Sequence, residues 1–301
     1  MATTINNADI ALLAQEAIEA NFVEIEGLKV FSTELKTEGM IEGDQVKVPV
    51  YGKTTAVDFD RASQNYGDAQ AQTVDFKSVI LDQFFKSTFA LTDDDVMKVD
   101  MNKVMMANAE AVVEKATTYV YGLITATNFP STPIINVVPS AFDSDSVIDL
   151  SKYATENGFL RKNKVLVLNN NFATSLKKDP ALKDASASGS TETLREGQIG
   201  KLAGFDPILE SSILPENAED LSGFITDGTA IAIASAPVNV EATGQTTTFS
   251  ENFTEPRTGL TMNFRIFYDN DTGTHKGTYS MLFGAVVTRA DSLNRITDAT
   301  V

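Results

Sequence analysis

The chain has 301 residues, 43% of them hydrophobic, with a formal net charge of −17 and no cysteine. That length and apolar content suit one large packed domain or two modest ones and exclude global disorder. Disulfides and thiolate metal sites are excluded, and the acidity opposes sequence-reading nucleic-acid binding and anionic membranes as partners.

The opening "MATTINNADIALLAQ" has no basic residue before its apolar part and lacks the form of a secretory signal. The longest apolar runs, "IAIASAPV" and "LFGAVV", fall far short of the ~20 residues that span a bilayer. A soluble chain with no membrane partner is expected. Residues 7–22 place Ile10, Leu13, Ala14, Ala17 and Ile18 on one helical face. Such a terminal helix either packs on its own domain or docks on a neighbour, and the residues leave both open.

Residues 45–51, "QVKVPVY", alternate with Val46, Val48 and Val50 on one face, and Pro49 marks an edge strand or a strand end. The stretch that follows has little to bury. Within it "AVDFD" (56–60) and "TVDFK" (73–77) are near copies, with Gly67 as a turn candidate between them, the pattern of a long two-stranded ribbon. An isolated ribbon is at best marginally stable, and loops of this length are uncommon in compact domains unless functional. The ribbon is therefore expected to lie on another surface, that of a second copy.

In "VILDQFFKSTFALTDDDV" (79–96), Phe85, Phe89 and Leu91 alternate with Lys86 and Thr88 as a strand. Thr92 and Asp95 have capping-box spacing, so Asp93, Asp94 and Asp95 read as a helix start rather than a metal site. A spine helix is predicted over 99–126, with Met101, Val104, Met105, Ala109, Val112, Val113, Ala116, Val120, Leu123 and Ile124 in one stripe. It would be roughly 40 Å long. The proline-bearing "NFPSTPIINVVPSAF" (128–142) reads as a connection.

An α/β pattern follows. A helix ends at Gly158, "KVLVLNN" (164–170) is a buried strand, and a second helix is interrupted before Pro180. "KLAGFDPILESSILP" and "GFITDGTAIAIAS" read as strands and turns, and residues 239–259 as polar and extended. The C-terminal region is a hairpin, with Met262, Phe264 and Ile266 alternating on one arm and Tyr279, Met281, Phe283 and Ala285 on the other. Pairing of this hairpin with 45–51 and 79–92 would give an α+β domain split by a central insertion.

Chemistry-bearing motifs are sparse. The only histidine, His275, lies in a turn, the wrong place for a Ser-His or Cys-His nucleophile system. "DNDTG" (269–273) imitates a calcium loop, but its twelfth position is Ser280 where a bidentate glutamate is needed. No phosphate loop is present. The basic cluster "LRKNK" (160–164) with Lys177, Lys178 and Lys183 is either a solvated face or a contact for an acidic neighbour or packaged polyanion.

The order of elements, with "GDQVKVPVYGKTTAVDFD", "KSTFALTDDDV" and "LREGQIGKLAGFDPILESSILP" (194–215), resembles the major capsid (coat) proteins of tailed bacteriophages. That fold is shared with encapsulin shells and the herpesvirus capsid floor. The resemblance implies an α+β fold with an N-terminal arm (1–42) and an extended β-ribbon loop (52–78). It implies a peripheral domain from 43–51 and 79–135, with the spine helix 99–126 and a closing segment 260–301. An α/β axial domain (136–259) would be inserted between.

The implied function is non-enzymatic self-assembly, without cofactor or metal. Hexamers and pentamers would close an icosahedral head around double-stranded DNA, formed in the host cytoplasm and resident in the virion. The inter-subunit contacts implied are Val57, Phe59, Arg61, Tyr66, Val74 and Phe76 in the loop, and Ile10, Leu13, Ile18 and Phe22 in the arm. The chain starts directly with the arm, without the long charged prelude of some members, so a separate scaffolding protein is expected. A portal, in some systems a decoration protein, and DNA by non-specific proximity complete the partners. Some members cross-link a loop lysine to an asparagine, but nothing in the sequence marks Lys53 or Lys77 as reactive. The alternatives are an encapsulin-like compartment shell, a hydrolase or lyase using an acidic pair, and a tail protein, which the spine helix argues against.

Overall fold

The computed structural model describes residues 14–15, 27–33, 43–51, 74–96, 98–159, 164–183, 201–214, 220–238, 249–254 and 259–299. In chain order the strands before the first long helix are β1 (Ser32–Thr33), β2 (Gln45–Tyr51), β3 (Val74–Ile80) and β4 (Gln83–Thr92). Helices α1 (Asp93–Val96) and α2 (Met101–Gly122) follow, then β5 (Ile135–Val137), α3 (Ser144–Glu156), β6 (Val165–Asn169), α4 (Asn170–Lys178) and α5 (Pro180–Lys183). Among the described residues the later elements are the strands β7 (Ile208–Ser211), β8 (Leu221–Thr226), β9 (Ile231–Ala236), β10 (Phe249–Thr254), β11 (Thr261–Asp269), β12 (Thr274–Val287) and β13 (Leu293–Asp298), with a short 3-10 turn at Ala290–Ser292.

The 14-residue β12 organises the larger sheet. The hairpin partner β11 pairs with its first half and β9 with its second half. On the opposite edge β4 runs antiparallel from Thr92↔Thr274 to Gln83↔Phe283. Strands β10 and β1 extend the sheet at its two ends. Met262, Phe264, Tyr279, Met281 and Phe283 are buried in the main core as expected and Ile266 and Ala285 pack half-buried against it, but burial does not alternate: β12 is buried without a break from Gly277 to Gly284. Phe85, Tyr119 and Phe283 form a triangle of rings with centroids 6.0–6.2 Å apart, which joins β4, α2 and β12. Gly277 lies under Phe89, its register partner, where a Cβ would sit 2.2 Å from the ring.

Helix α2 buries Met105, Ala109, Val112, Val113, Ala116 and Val120 along the predicted stripe. It is shorter than the predicted 99–126. The Asp100 carboxylate accepts the backbone N–H of Asn102 at 3.2 Å while Asp100 itself stays extended, which fixes the start at Met101. Beyond Gly122 the Asn128 side chain donates to the Leu123 carbonyl at 2.8 Å, and the chain leaves in turns. Twenty-two residues give a helix of about 33 Å. The capping box ahead of it is formed: the Asp95 N–H donates to Thr92 Oγ1 at 3.2 Å, and Thr92 Oγ1 donates to Asp95 Oδ2 at 2.6 Å.

The second sheet has the order β5-β13-β8-β6-β7. It is buried on both faces. Leu166, Leu168, Ile225 and Ile296 turn toward α3 and α4, while Val165, Val167, Phe224 and Leu293 join the main core. Two buried faces explain runs such as "VLVL" that show no alternation. The sheets do not follow the expected segment boundaries. β9 and β10, inside 136–259, belong to the larger sheet, and β13, inside 260–301, belongs to the smaller one.

Of the predicted N-terminal helix only Ala14 and Gln15 are described; both are helical, and Ala14 is buried in the main core. Ile10, Leu13, Ile18 and Phe22 lie outside the described residues.

Candidate functional site

Among the described residues, the two-stranded ribbon carries the main group of exposed large apolar side chains. β2 and β3 pair antiparallel from Gln45↔Ile80 to Tyr51↔Val74. Residues directly opposite share a face, so the register sorts the side chains into two sets. One face carries Val46, Val48 and Val79, which pack with Leu81, Ala232, Ala234, Ala236 and Leu282 on the larger sheet. The other carries Pro49, Tyr51, Val74, Phe76 and Ile80. On that face Tyr51 is 63% exposed, Phe76 60%, Ile80 44% and Val74 38%.

Val74–Lys77, most of the copy "TVDFK", pairs with Val48–Tyr51, while the copy "AVDFD" lies outside the described residues. This alignment places Val46, Val48 and Val79 on one buried face, and burial of one face disfavours any shift that would turn them outward. For the same reason β2 pairs with β3 and not with the closing hairpin, contrary to the expected pairing of that hairpin with 45–51.

The root of the ribbon is held tightly. Gly43 N–H donates to the Leu81 carbonyl at 2.7 Å and Leu81 N–H to the Asp44 carbonyl at 3.0 Å. At Gly284 of β12 a Cβ would stand 2.2 Å from the Ile80 carbonyl oxygen. Only a residue without a side chain lets the strand pass this close.

Of the expected contact residues, Val74 and Phe76 share the exposed face, while Val57, Phe59, Arg61 and Tyr66 lie outside the described residues. Tyr51 and Ile80 were missed. Their signal was available: Val46, Val48 and Val50 occupy one face, so Tyr51 falls on the other. Lys77 of the ribbon pairs with Asp75 at 3.3 Å, both exposed.

The hairpin tip is a second polar cluster. His275 Nε2 lies 3.2 Å from Asp93 Oδ1, and the Tyr268 hydroxyl donates to Asp93 Oδ2 at 2.9 Å. That hydrogen bond, with some burial, pushes the Tyr268 phenol above its ordinary value. The "DNDTG" segment is a turn held by its own side chains: Lys276 Nζ donates to Asp269 Oδ2 at 2.9 Å, and Asp271 N–H to Asp269 Oδ1 at 3.1 Å. The Lys276 and Thr272 hydrogen bonds lower the Asp269 carboxyl to about 2. Here the imidazole pins a turn to the start of α1.

Among the described residues, no group of three or more His, Cys, Asp or Glu side chains is placed to hold a metal. No described helix is long and apolar enough to cross a membrane. In the basic cluster Lys164 is buried and donates to Thr155 Oγ1 at 3.0 Å, and Lys177 pairs with Glu210.

No family model matches the chain, and no curated relative matches it. Solved structures do. A chain of the capsid of cyanophage P-SCSP1u aligns over 90% of this chain and 87% of its own length, with TM-score 0.61 and 13% identity. A chain from the mature capsid of bacteriophage PhiM1 aligns over 91% and 86%, with TM-score 0.59 and 10% identity. A chain from Mycobacterium phage Che8 aligns over 85% of both, with TM-score 0.57 and 21% identity. At these identities the likeness is one of fold, and it extends over 85–91% of the chain. The chain has the phage major capsid protein fold.

Proposed function

We propose that this chain is the major capsid protein of a tailed phage. Copies gather into hexamers and pentamers and close an icosahedral head around double-stranded DNA. The observation that carries the reading is the ribbon: one face anchored to the protein's own sheet, the other apolar and open, on a chain of this fold. Tyr51, Val74, Phe76 and Ile80 bury on a neighbouring copy, together with the loop residues Val57, Phe59, Arg61 and Tyr66 and the arm residues Ile10, Leu13, Ile18 and Phe22. Each contact is modest, and closure of the shell multiplies it. No catalytic step is involved. The acidic chain holds DNA by enclosure rather than by phosphate contacts. A scaffolding protein, a portal and, in some particles, a decoration protein act as partners, and the mature protein resides in the virion.

The double variant Tyr51→Ser/Phe76→Ser tests this. Both side chains are exposed in the single chain, so its stability should change by only about 0.5 kcal/mol. Burial of one phenylalanine-sized side chain on a neighbour is worth about 1.5–3 kcal/mol, so the concentration needed for particles should rise about tenfold or more. Normal particles at the wild-type concentration, seen by light scattering, would sink the reading.

A further inference from the structure

The open face of the ribbon is apolar but not uncharged. The register places one charged side chain on it among the described residues, Lys47, opposite Ser78 and set between the apolar positions of both strands. Lys47 is exposed, and its ammonium has no hydrogen-bond or ion-pair partner among the described residues. If this face is covered by a neighbour, the ammonium must meet a carboxylate there, because a buried charge without a partner is strongly disfavoured.

The receiving surface must therefore combine an exposed apolar side chain with a carboxylate that has no partner of its own. Outside the ribbon, the exposed large apolar side chains among the described residues are Phe84, Val99, Ile148 and Tyr268. Phe84 lies at the ribbon's own root and shares a strand face with Lys86, which has the same sign as Lys47. The carboxylates around Val99 are engaged, Asp94 with Lys98 and Asp100 with Lys103. Asp93, beside Tyr268, is taken by the Tyr268 hydroxyl and His275. Ile148 differs. It is the most exposed of the four, at 54%, and lies on α3, whose other face buries Val147, Leu150 and Ala154. Asp145 and Asp149 stand one turn apart beside it, both exposed and both without an ion-pair partner among the described residues. The dimensions agree as well. The 13 residues of α3 make a helix of about 20 Å, and the seven-residue strands of the ribbon run for about 23 Å.

We infer that the open face of the ribbon receives α3 of a second copy, with Ile148 seated among the ribbon's apolar side chains and Lys47 between Asp145 and Asp149. This rests on the ribbon being the assembly surface, as proposed above, and names what it docks on. Ribbon and helix are different surfaces, so the contact is head-to-tail: each copy gives its ribbon to one neighbour and its helix to the next, an arrangement that closes rings.

Charge reversal tests the pairing, with light scattering reading the concentration at which particles form. Lys47→Glu and Asp149→Lys should each raise it about threefold or more, and the two together should bring it back to within about twofold of the wild type. Asp149→Lys is the discriminating variant. It reduces the net negative charge, so general repulsion alone would make that chain assemble more readily, whereas loss of the Lys47 contact makes it assemble less readily. Both side chains are exposed in the single chain, and a melting curve on each variant confirms that it is folded. The absence of cysteine allows a second measurement on the concentrated chain. Ser78→Cys/Ile148→Cys treated with a bis-maleimide linker should give covalent oligomers beyond the dimer, and Ser78→Cys/Val99→Cys should not. Asp149→Lys that assembles as readily as the wild type, a double reversal no better than the single ones, or no such oligomers would overturn the inference. Wild-type particles alongside that failure leave the capsid reading in place, and their absence removes both.

Discussion

Gly284 shows how much of the proposed assembly device rests on one missing side chain. A Cβ there would meet the Ile80 carbonyl oxygen at 2.2 Å and Val79 Cγ1 at 3.1 Å. The nearer obstacle is backbone, so a rotamer change cannot relieve it and the root of the ribbon must move. Gly284→Ala is expected to cost about 1–3 kcal/mol and to lower the melting temperature by several degrees. An unchanged melt would contradict the packing described at this root. Asp269 gives a prediction in pH. Its carboxyl is lowered to about 2 by the hydrogen bonds from Lys276 and Thr272. A lowered carboxyl contributes stability above the ordinary carboxylate value of about 4 and loses it as pH falls toward the folded value. The hairpin turn should therefore hold unchanged from neutrality to about pH 4 and loosen between about pH 4 and pH 2. Amide exchange at Asp271 and Gly273 reads this out, and Asp269→Asn should abolish the dependence. Exchange that is flat across that window in the wild type would contradict it.

At the level of elements, β13 has a larger role than its position near the chain's end suggests. It lies between β5 and β8, pairing parallel with the first and antiparallel with the second, and Leu293 and Ile296 are fully buried. Removal of residues 293–301 would open the smaller sheet and expose both side chains. That truncation is expected to lose the native cooperative melt; a wild-type melting curve would contradict the assigned topology. The role of β13 was not legible in the sequence, and the reason is physical. The hairpin β11–β12, the Thr92–Asp95 capping box and the stripe of α2 are local patterns, read from neighbours two to four residues apart. "GFITDGTAIAIAS" looks like one unit, yet β8 and β9 enter different sheets. Each is buried at all six positions, so neither shows the alternation that would assign it a sheet. The ribbon was half legible. The alternating valines of β2 marked the buried face, but the partner strand was set by a burial match with Val79 some thirty residues away.

At the scale of the whole molecule, apolar contact and charge oppose each other. The ribbon's exposed face favours association, while a formal charge of −17 on every copy resists it. The Debye length falls from about 10 Å at 0.1 M salt to about 3 Å at 1 M, so screening should tip the balance. Raising sodium chloride from roughly 0.05 M to 0.5 M should lower the concentration at which particles form several-fold. The most direct test of the central claim is negative-stain electron microscopy with light scattering on the purified chain, over a range of concentrations at both salt levels. The capsid reading predicts capsomers or closed shells above a threshold concentration, with the threshold lower at high salt. A monomer at every concentration and at both ionic strengths would contradict it.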